Sequence, residues 1–217
     1  MSEIRVENII GETGVDAVNF TKGVNVTGVT TATSFSGSGA SLTSLPAANL
    51  TGTLPAISGA NLTGISAGIT DADQWRVTTN FTVSGGGVIG SNWERNDNQF
   101  DKIGNGMTES SGIFTFPSTG IWRIVLCFNA NASSLQYVGA NIQSTQNNSS
   151  FSTIAENYDS AAGTNYFVCV TVDTIYDCTN TSTHKVKFLY STQGSTTYEG
   201  GNTFQRSGVT FIRLGDT

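Results

Sequence analysis

The chain has 217 residues, of which 10 are Lys or Arg and 16 Asp or Glu, for a net charge of −6. With no basic run to displace phosphate counterions, nucleic acid is not an expected partner. No apolar stretch reaches the roughly 18 residues that would span a bilayer as a helix, so membrane insertion is not expected. Met1-Ser2-Glu3-Ile4-Arg5 has neither the basic start nor the apolar core of a secretory leader, which points to synthesis and assembly in a cytoplasm. Charged residues are only 12% and Gly numbers 25. Ser, Thr, Asn and Gln supply the polar surface instead, and no sustained 3.6-residue apolar stripe occurs, so the composition reads as all-β.

In chain order, residues 1–30 come first. Ile4 and Val6 alternate with Glu3, Arg5 and Glu7, and Ile9 and Ile10 follow before Gly11 and Gly14 break the run. This reads as an anchoring segment that docks on another protein through Ile4, Val6, Ile9 and Ile10; a frayed terminus is the alternative. Residues 31–72 are repetitive: Ala40-Ser41-Leu42-Thr43-Ser44-Leu45, Ala48-Asn49-Leu50-Thr51-Gly52-Thr53-Leu54 and Ala60-Asn61-Leu62-Thr63-Gly64-Ile65 share one grammar, and Asn25-Val26-Thr27-Gly28-Val29 is a looser copy. Residues 1–70 hold no Trp or Tyr and only Phe20 and Phe35, too little apolar volume for a core of their own. Regularly spaced aliphatics are unrewarded in a free linker. The expectation is therefore an extended, intertwined homotrimeric stalk with Leu42, Leu45, Leu50, Leu54, Leu62 and Ile65 at the contacts between copies; a flexible linker is the bland alternative.

Residues 73–217 read as strand after strand. Trp75, Val77 and Phe81 open the series, Ser84-Gly85-Gly86-Gly87 reads as a hairpin turn, and Asn96-Asp97-Asn98 as a polar turn. Ser111-Gly112 leads into Ile113, Phe114 and Phe116. Over residues 121–128, Trp122, Ile124, Leu126 and Phe128 share one face while Ile121, Val125 and Cys127 share the other with Arg123, which predicts a central strand. Tyr166, Val168, Val170 and Val172, then Val186, Phe188 and Tyr190, then Val209 and Phe211 keep the period of two. Short strands joined by Gly-, Ser- and Asn-rich turns predict a two-sheet sandwich or jelly roll.

Catalytic groups are scarce. The one imidazole, His184, reads as a surface residue at a strand edge, and no G-x-S-x-G occurs. Cys127, Cys169 and Cys178 read as reduced, buried, small hydrophobes, because no C-x-x-C or second His offers a zinc set. Asp71 and Asp73 with Asp97 or Asp101 form a Ca²⁺ candidate, weighed against a solvated junction. No enzyme activity, catalytic residue, metal or cofactor is expected. Tyr137, Tyr158 and Tyr198, with Phe204, sit in polar, Gly-rich surroundings and are the candidate receptor-facing aromatics; the alternative places them in a core or an interface.

Two resemblances complete the reading. Ser111-Gly112-Ile113-Phe114-Thr115-Phe116-Pro117-Ser118-Thr119-Gly120-Ile121-Trp122 resembles the signature of the C1q/TNF-like superfamily, with Phe100-Asp101-Lys102-Ile103-Gly104 upstream and Ser207-Gly208-Val209-Thr210-Phe211-Ile212 at the end in the family's order. It implies a jelly-roll head that packs as a compact homotrimer around a hydrophobic axis. Residues 133–164 depart from the pattern, being long and polar, and are expected as an elaborated loop region. Residues 38–45 and 58–65 are similar to stalk repeats of tailed-phage fibre proteins of the marine or cyanophage kind. Together they imply a virion-surface fibre on tail or capsid, anchored in another virion protein and presenting its head to a glycan or protein of the host surface. A capsid decoration protein and a cellular C1q-like adhesion module are the alternatives.

Overall fold

The computed structural model of the chain describes residues 20–34, 36, 68–98, 100–133 and 137–217. The predicted anchoring residues Ile4, Val6, Ile9 and Ile10, and the predicted stalk contacts Leu42, Leu45, Leu50, Leu54, Leu62 and Ile65, lie outside the described residues. Two units divide the chain, Met1–Ala60 and Asn61–Thr217. In the first, residues 20–34 contain turns and bends but no helix or strand. Phe20, Val24, Val26 and Val29 are exposed there, Val29 at 92%.

The second unit holds, among its described residues, twelve strands: β1 (Ala72–Val77), β2 (Phe81–Val88), β3 (Trp93–Arg95), β4 (Lys102–Ile103), β5 (Thr108–Ser110), β6 (Ile113–Thr115), β7 (Gly120–Ser133), β8 (Tyr137–Thr145), β9 (Ser152–Ser160), β10 (Thr164–Cys178), β11 (Lys185–Tyr198) and β12 (Gly208–Gly215). One layer runs β1–β12–β7–β10, with β3 and β4 on the far edge of β1. The other runs β9–β8–β11, with β2 and β6 sharing the far edge of β11 and β5 beyond β6. All of these ladders are antiparallel. The layers join at the end of β11, where Thr196, Thr197 and Tyr198 leave β8 and pair with Ala132, Asn131 and Ala130 of β7. A register shift between Thr192 and Thr196 makes this switch. The hydroxyls of Thr192 and Thr196 lie 2.6 Å apart within it, and that of Thr192 donates to the Gly194 carbonyl. On the opposite side, the Asn157 amide of β9 donates to the Thr171 carbonyl of β10, so the sandwich approaches a closed barrel.

The period of two sets the core. On β7, Trp122, Ile124, Leu126, Phe128, Ala130 and Ala132 are buried while the alternate residues are half-buried or exposed. They meet Val168, Val170 and Val172 of β10, Val186 and Phe188 of β11 and Phe211 of β12. Phe114 is the hub of an aromatic cluster, with ring centroids 5.2–5.5 Å from Trp75, Trp93, Phe188 and Phe211. Edge and tilted contacts of this kind add to the area that such large rings bury. The tight turn into β6 is Ser111-Gly112, both at positive φ (52° and 81°), the pairing that matches the right-handed twist of a hairpin.

Two expectations are corrected. Ser84-Gly85-Gly86-Gly87 is the body of β2 rather than a turn: Gly85, Gly86 and Gly87 pair with Thr192, Ser191 and Tyr190. Residues 133–164 are not an elaborated loop but contain the β8–β9 hairpin. Its inward face is made of Val138, Ala140, Ile142 and Ser144. Only Val138 and Ile142 among these are large aliphatics, with Ala140 and Ser144 between and after them, so β8 offers little apolar alternation to read.

Candidate functional site

Of the three tyrosines predicted to face a receptor, the structure brings two together and removes the third. Tyr137 opens β8 and Tyr158 lies on the adjacent β9, with rings T-shaped at 5.7 Å and 78°; both are exposed. Tyr198 is fully buried. Its ring stacks on Phe81 at 5.3 Å, and its hydroxyl donates to the carbonyls of Gly139 and Ser191, both at 3.2 Å. Burial pushes its phenol well above the ordinary range. Tyr198 is therefore a core residue, because β11 continues past its bulge with the same face inward. Phe204 is exposed in a loop, with the Arg206 guanidinium 5.3 Å from its ring centre.

The outward face of the β8–β9 hairpin carries the polar groups around Tyr158. Register places Tyr158 beside Gly139, then Ser191 of β11, then Gly86 of β2. The next row is Glu156, Asn141, Leu189 and Val88. The Tyr158 hydroxyl donates to Glu156 Oε2 at 3.2 Å and the Asn141 amide donates to the same oxygen at 2.9 Å. Partial burial, and then the neighbouring Glu156 carboxylate, raise the Tyr158 phenol above its usual range.

A second surface is the outward face of β12–β7–β10. Ile212, Arg123 and Ile175 form one row, and Thr210, Val125 and Asp173 the next. Ile175 and Phe167 are 64% and 69% exposed. The Arg123 guanidinium donates to both oxygens of Asp173. That bond holds the Asp173 carboxyl below the usual carboxylate range. Cys127 and Cys169 lie on this same face with their sulfurs 3.4 Å apart. Only Cys178 is buried, and Cys169 is exposed, so the expectation of three buried thiols is corrected. Burial first, and then the Cys169 thiol, push Cys127 up to about 11.

The remaining candidates are structural. His184 is buried rather than at the surface, with Nδ1 3.1 Å from the Tyr176 hydroxyl and Nε2 3.4 Å from Thr179 Oγ1. The two ends of the β10–β11 connection close over it, a packing that its polar flanks do not signal. Asp73 is fully buried and bound by Arg95 at 3.0 Å, by the Met107 amide and by the Trp75 indole. Asp97 instead lies 3.5 Å from Arg76. A carboxylate already satisfied by a cation and three N–H donors, the Gln74 amide included, has little left for Ca²⁺, and no group of three His, Cys, Asp or Glu able to hold a metal occurs among the described residues.

No family model matches the sequence, and no curated protein matches it. Solved structures do. Murine APRIL at pH 8.5 superposes with a TM-score of 0.50 and 10% identity, over 66% of this chain and 98% of that one. The Eiger TNF of S. frugiperda superposes with a TM-score of 0.50 and 12% identity, over 67% and 93%. The head has a TNF-like jelly-roll fold. At such identities the likeness concerns the fold alone, and it bears out the all-β jelly roll expected from the motif at residues 111–122. The PRD1 vertex protein P5 also aligns, at a TM-score of 0.42 and 13% identity over 68% and 99%.

Proposed function

We propose that this chain is a homotrimeric virion-surface protein whose N-terminal segment anchors it in another virion protein and whose jelly-roll head serves attachment to a host surface. The observation that carries the self-association is the outward face of β12–β7–β10. Ile175 stands mostly in water there, in the same row as Ile212 and one row from Val125, and Phe167 is equally exposed further along β10, opposite Asn131. Apolar side chains of that size gain roughly 1.5–3 kcal/mol each on full burial, which favours covering this face against another copy. The exposed Val24, Val26 and Val29 of the first unit ask for burial against other copies in the same way. The TNF-like fold supports three as the number of copies. The stalk repeats support the virion setting, and threefold presentation turns weak single-site contacts into avidity when the geometry lets them engage together.

Light scattering on the full chain tests the assembly: the expected mass is three times 22.8 kDa, and Ile175→Asp together with Val125→Asp lowers it. A wild-type chain that stays monomeric at micromolar concentration overturns the proposal. Removing residues 1–30 is expected to abolish incorporation into virions while leaving a head that still binds cells; unchanged incorporation refutes the anchor.

A further inference from the structure

We propose that the outward face of β9–β8–β11–β2 is a carbohydrate-binding platform, on which the ring of Tyr158 stacks against a neutral pyranose. This deepens the attachment reading by naming the class of ligand, and it rests on that reading for its biological setting.

The platform exists because of one glycine. Gly139 lies directly beside Tyr158 in the β8–β9 ladder. A Cβ at Gly139 would sit 2.5 Å and 2.6 Å from Cε1 and Cδ1 of Tyr158, and 3.1 Å from the Ser191 Cβ. With no side chain there, the Tyr158 ring lies across the β8 backbone toward β11 rather than standing up from the sheet. It remains 48% exposed, so one ring surface rests on backbone and the other meets solvent. It is held by the hydroxyl bond to Glu156, by the Ser191 side chain and by the perpendicular edge of Tyr137. An aromatic face carries negative π density and attracts the electropositive C–H groups along one side of a sugar ring. A ring already immobilised loses little entropy when it does so.

The surroundings fit hydroxyl-rich ligands better than other classes. Beyond Tyr158, the side-chain-free stretch of β2 leaves a depression of about 240 Å³, lined by Gly86 and Gly87 on one side and by Asn141, Leu189 and Ser191 beside the ring. Along its edge run an amide, a carboxylate and a hydroxyl: Asn141, Glu156 and Thr153, linked by bonds of 2.9–3.3 Å. Among the described residues, the hydroxyl of Tyr158 and the amide of Asn141 both donate to Oε2 of Glu156, so Oε1 is left to accept from a sugar hydroxyl. A carboxylate accepting beside an amide that can donate and accept is a set that neighbouring hydroxyls satisfy. The Glu156 carboxylate beside the ring disfavours phosphate, sulfate and acidic sugars there, and the Lys187 ammonium, one row further along the face, is drawn to the Phe151 ring 4.3 Å away. The face also points away from β12–β7–β10, so the proposed trimer leaves three platforms open.

The test uses the full chain and an array of neutral hexose, deoxyhexose and N-acetylhexosamine oligosaccharides, with acidic glycans on the same array and adsorption to host cells measured in parallel. Neutral glycans are expected to bind. Tyr158→Ala loses about tenfold or more in affinity, the order expected when a stacking ring and its contact area go. Tyr158→Phe stays within a few-fold of wild type. Gly139→Val, which keeps the tyrosine but pushes its ring off the strand, behaves like Tyr158→Ala, while Phe204→Ala binds as wild type. Each variant is checked for unchanged mass by light scattering. No glycan binding by the wild type, binding confined to acidic glycans, or binding indifferent to Tyr158→Ala and Gly139→Val overturns the inference. Cell adsorption that survives both variants overturns it too while leaving the attachment reading in place. Neutral-glycan binding lost in both variants, with no wild-type adsorption to cells, upholds the platform and removes the attachment reading.

Discussion

Replacing Tyr198 separates a core residue from a receptor contact. Its ring is fully buried, stacked on Phe81 at 5.3 Å and in edge or tilted contact with Phe128 and Tyr190 at 5.6 Å. A tyrosine side chain buries on the order of 200 Å², which at about 25 cal/mol per Å² is worth about 5 kcal/mol as an upper bound. Large-to-small changes at aromatic core sites cost about 3–5 kcal/mol, so Tyr198→Ala is expected in that range. Tyr198→Phe keeps the stacking and removes only the hydroxyl that donates to Gly139 and Ser191, for about 1 kcal/mol. Urea unfolding followed by tryptophan fluorescence reads both, since Trp75, Trp93 and Trp122 all sit in or against the same core. Chain concentration must be held fixed, because assembly adds to apparent stability. With a urea slope of about 1–3 kcal/mol per molar, the Ala midpoint falls by roughly 1–5 M. A Tyr198→Ala protein within about 0.5 kcal/mol of wild type, the range of ordinary surface changes, would refute the buried placement.

Other expectations follow from the same packing. Arg95→Ala strips the buried Asp73 of its cation and is expected to cost about 3–5 kcal/mol in urea unfolding; adding Asp73→Asn should recover part of it. Gly112→Ala places a Cβ 2.3 Å from the Ile89 carbonyl oxygen at φ +81°, so it should cost more than the roughly 1–2 kcal/mol of left-handed strain alone, read by the same assay. Burial pushes the Cys178 thiol from 9.0 up to about 11. The folded state therefore holds this proton more tightly than the unfolded chain. Its contribution is complete below the unfolded thiol value and is lost as pH rises toward 11. Thermal midpoints measured from pH 8 to 11 should fall less steeply in Cys178→Ala than in wild type.

Much of the fold was legible because its long strands bury one face, so burial and sequence share a period. The alternation of Trp122, Ile124, Leu126 and Phe128 named β7 as a central strand, and it lies between β12 and β10. Where inward residues are small or glycine, the same periodicity goes silent. That is why β2 read as a turn and the β8–β9 hairpin as a loop. In the candidate site, Tyr137 and Tyr158 were recognisable as aromatics in polar surroundings, but Gly139, which lays Tyr158 flat, carries no signal until β8 and β9 are paired.

The amino-acid order alone settled what local chemistry decides: an all-β chain, and the alternation along β7, β10, β11 and β12. It also showed a first third too poor in large apolar side chains for a core of its own. Tertiary structure decided which equivalent-looking residues meet water. Tyr158 and Tyr198 both sit among Ser, Thr, Asn and Gly, yet one lies on an edge strand and the other follows the bulge at Thr192 and Thr196 into the core. Exposure is a property of the partner strands, and those are chosen by pairings between residues far apart in the chain.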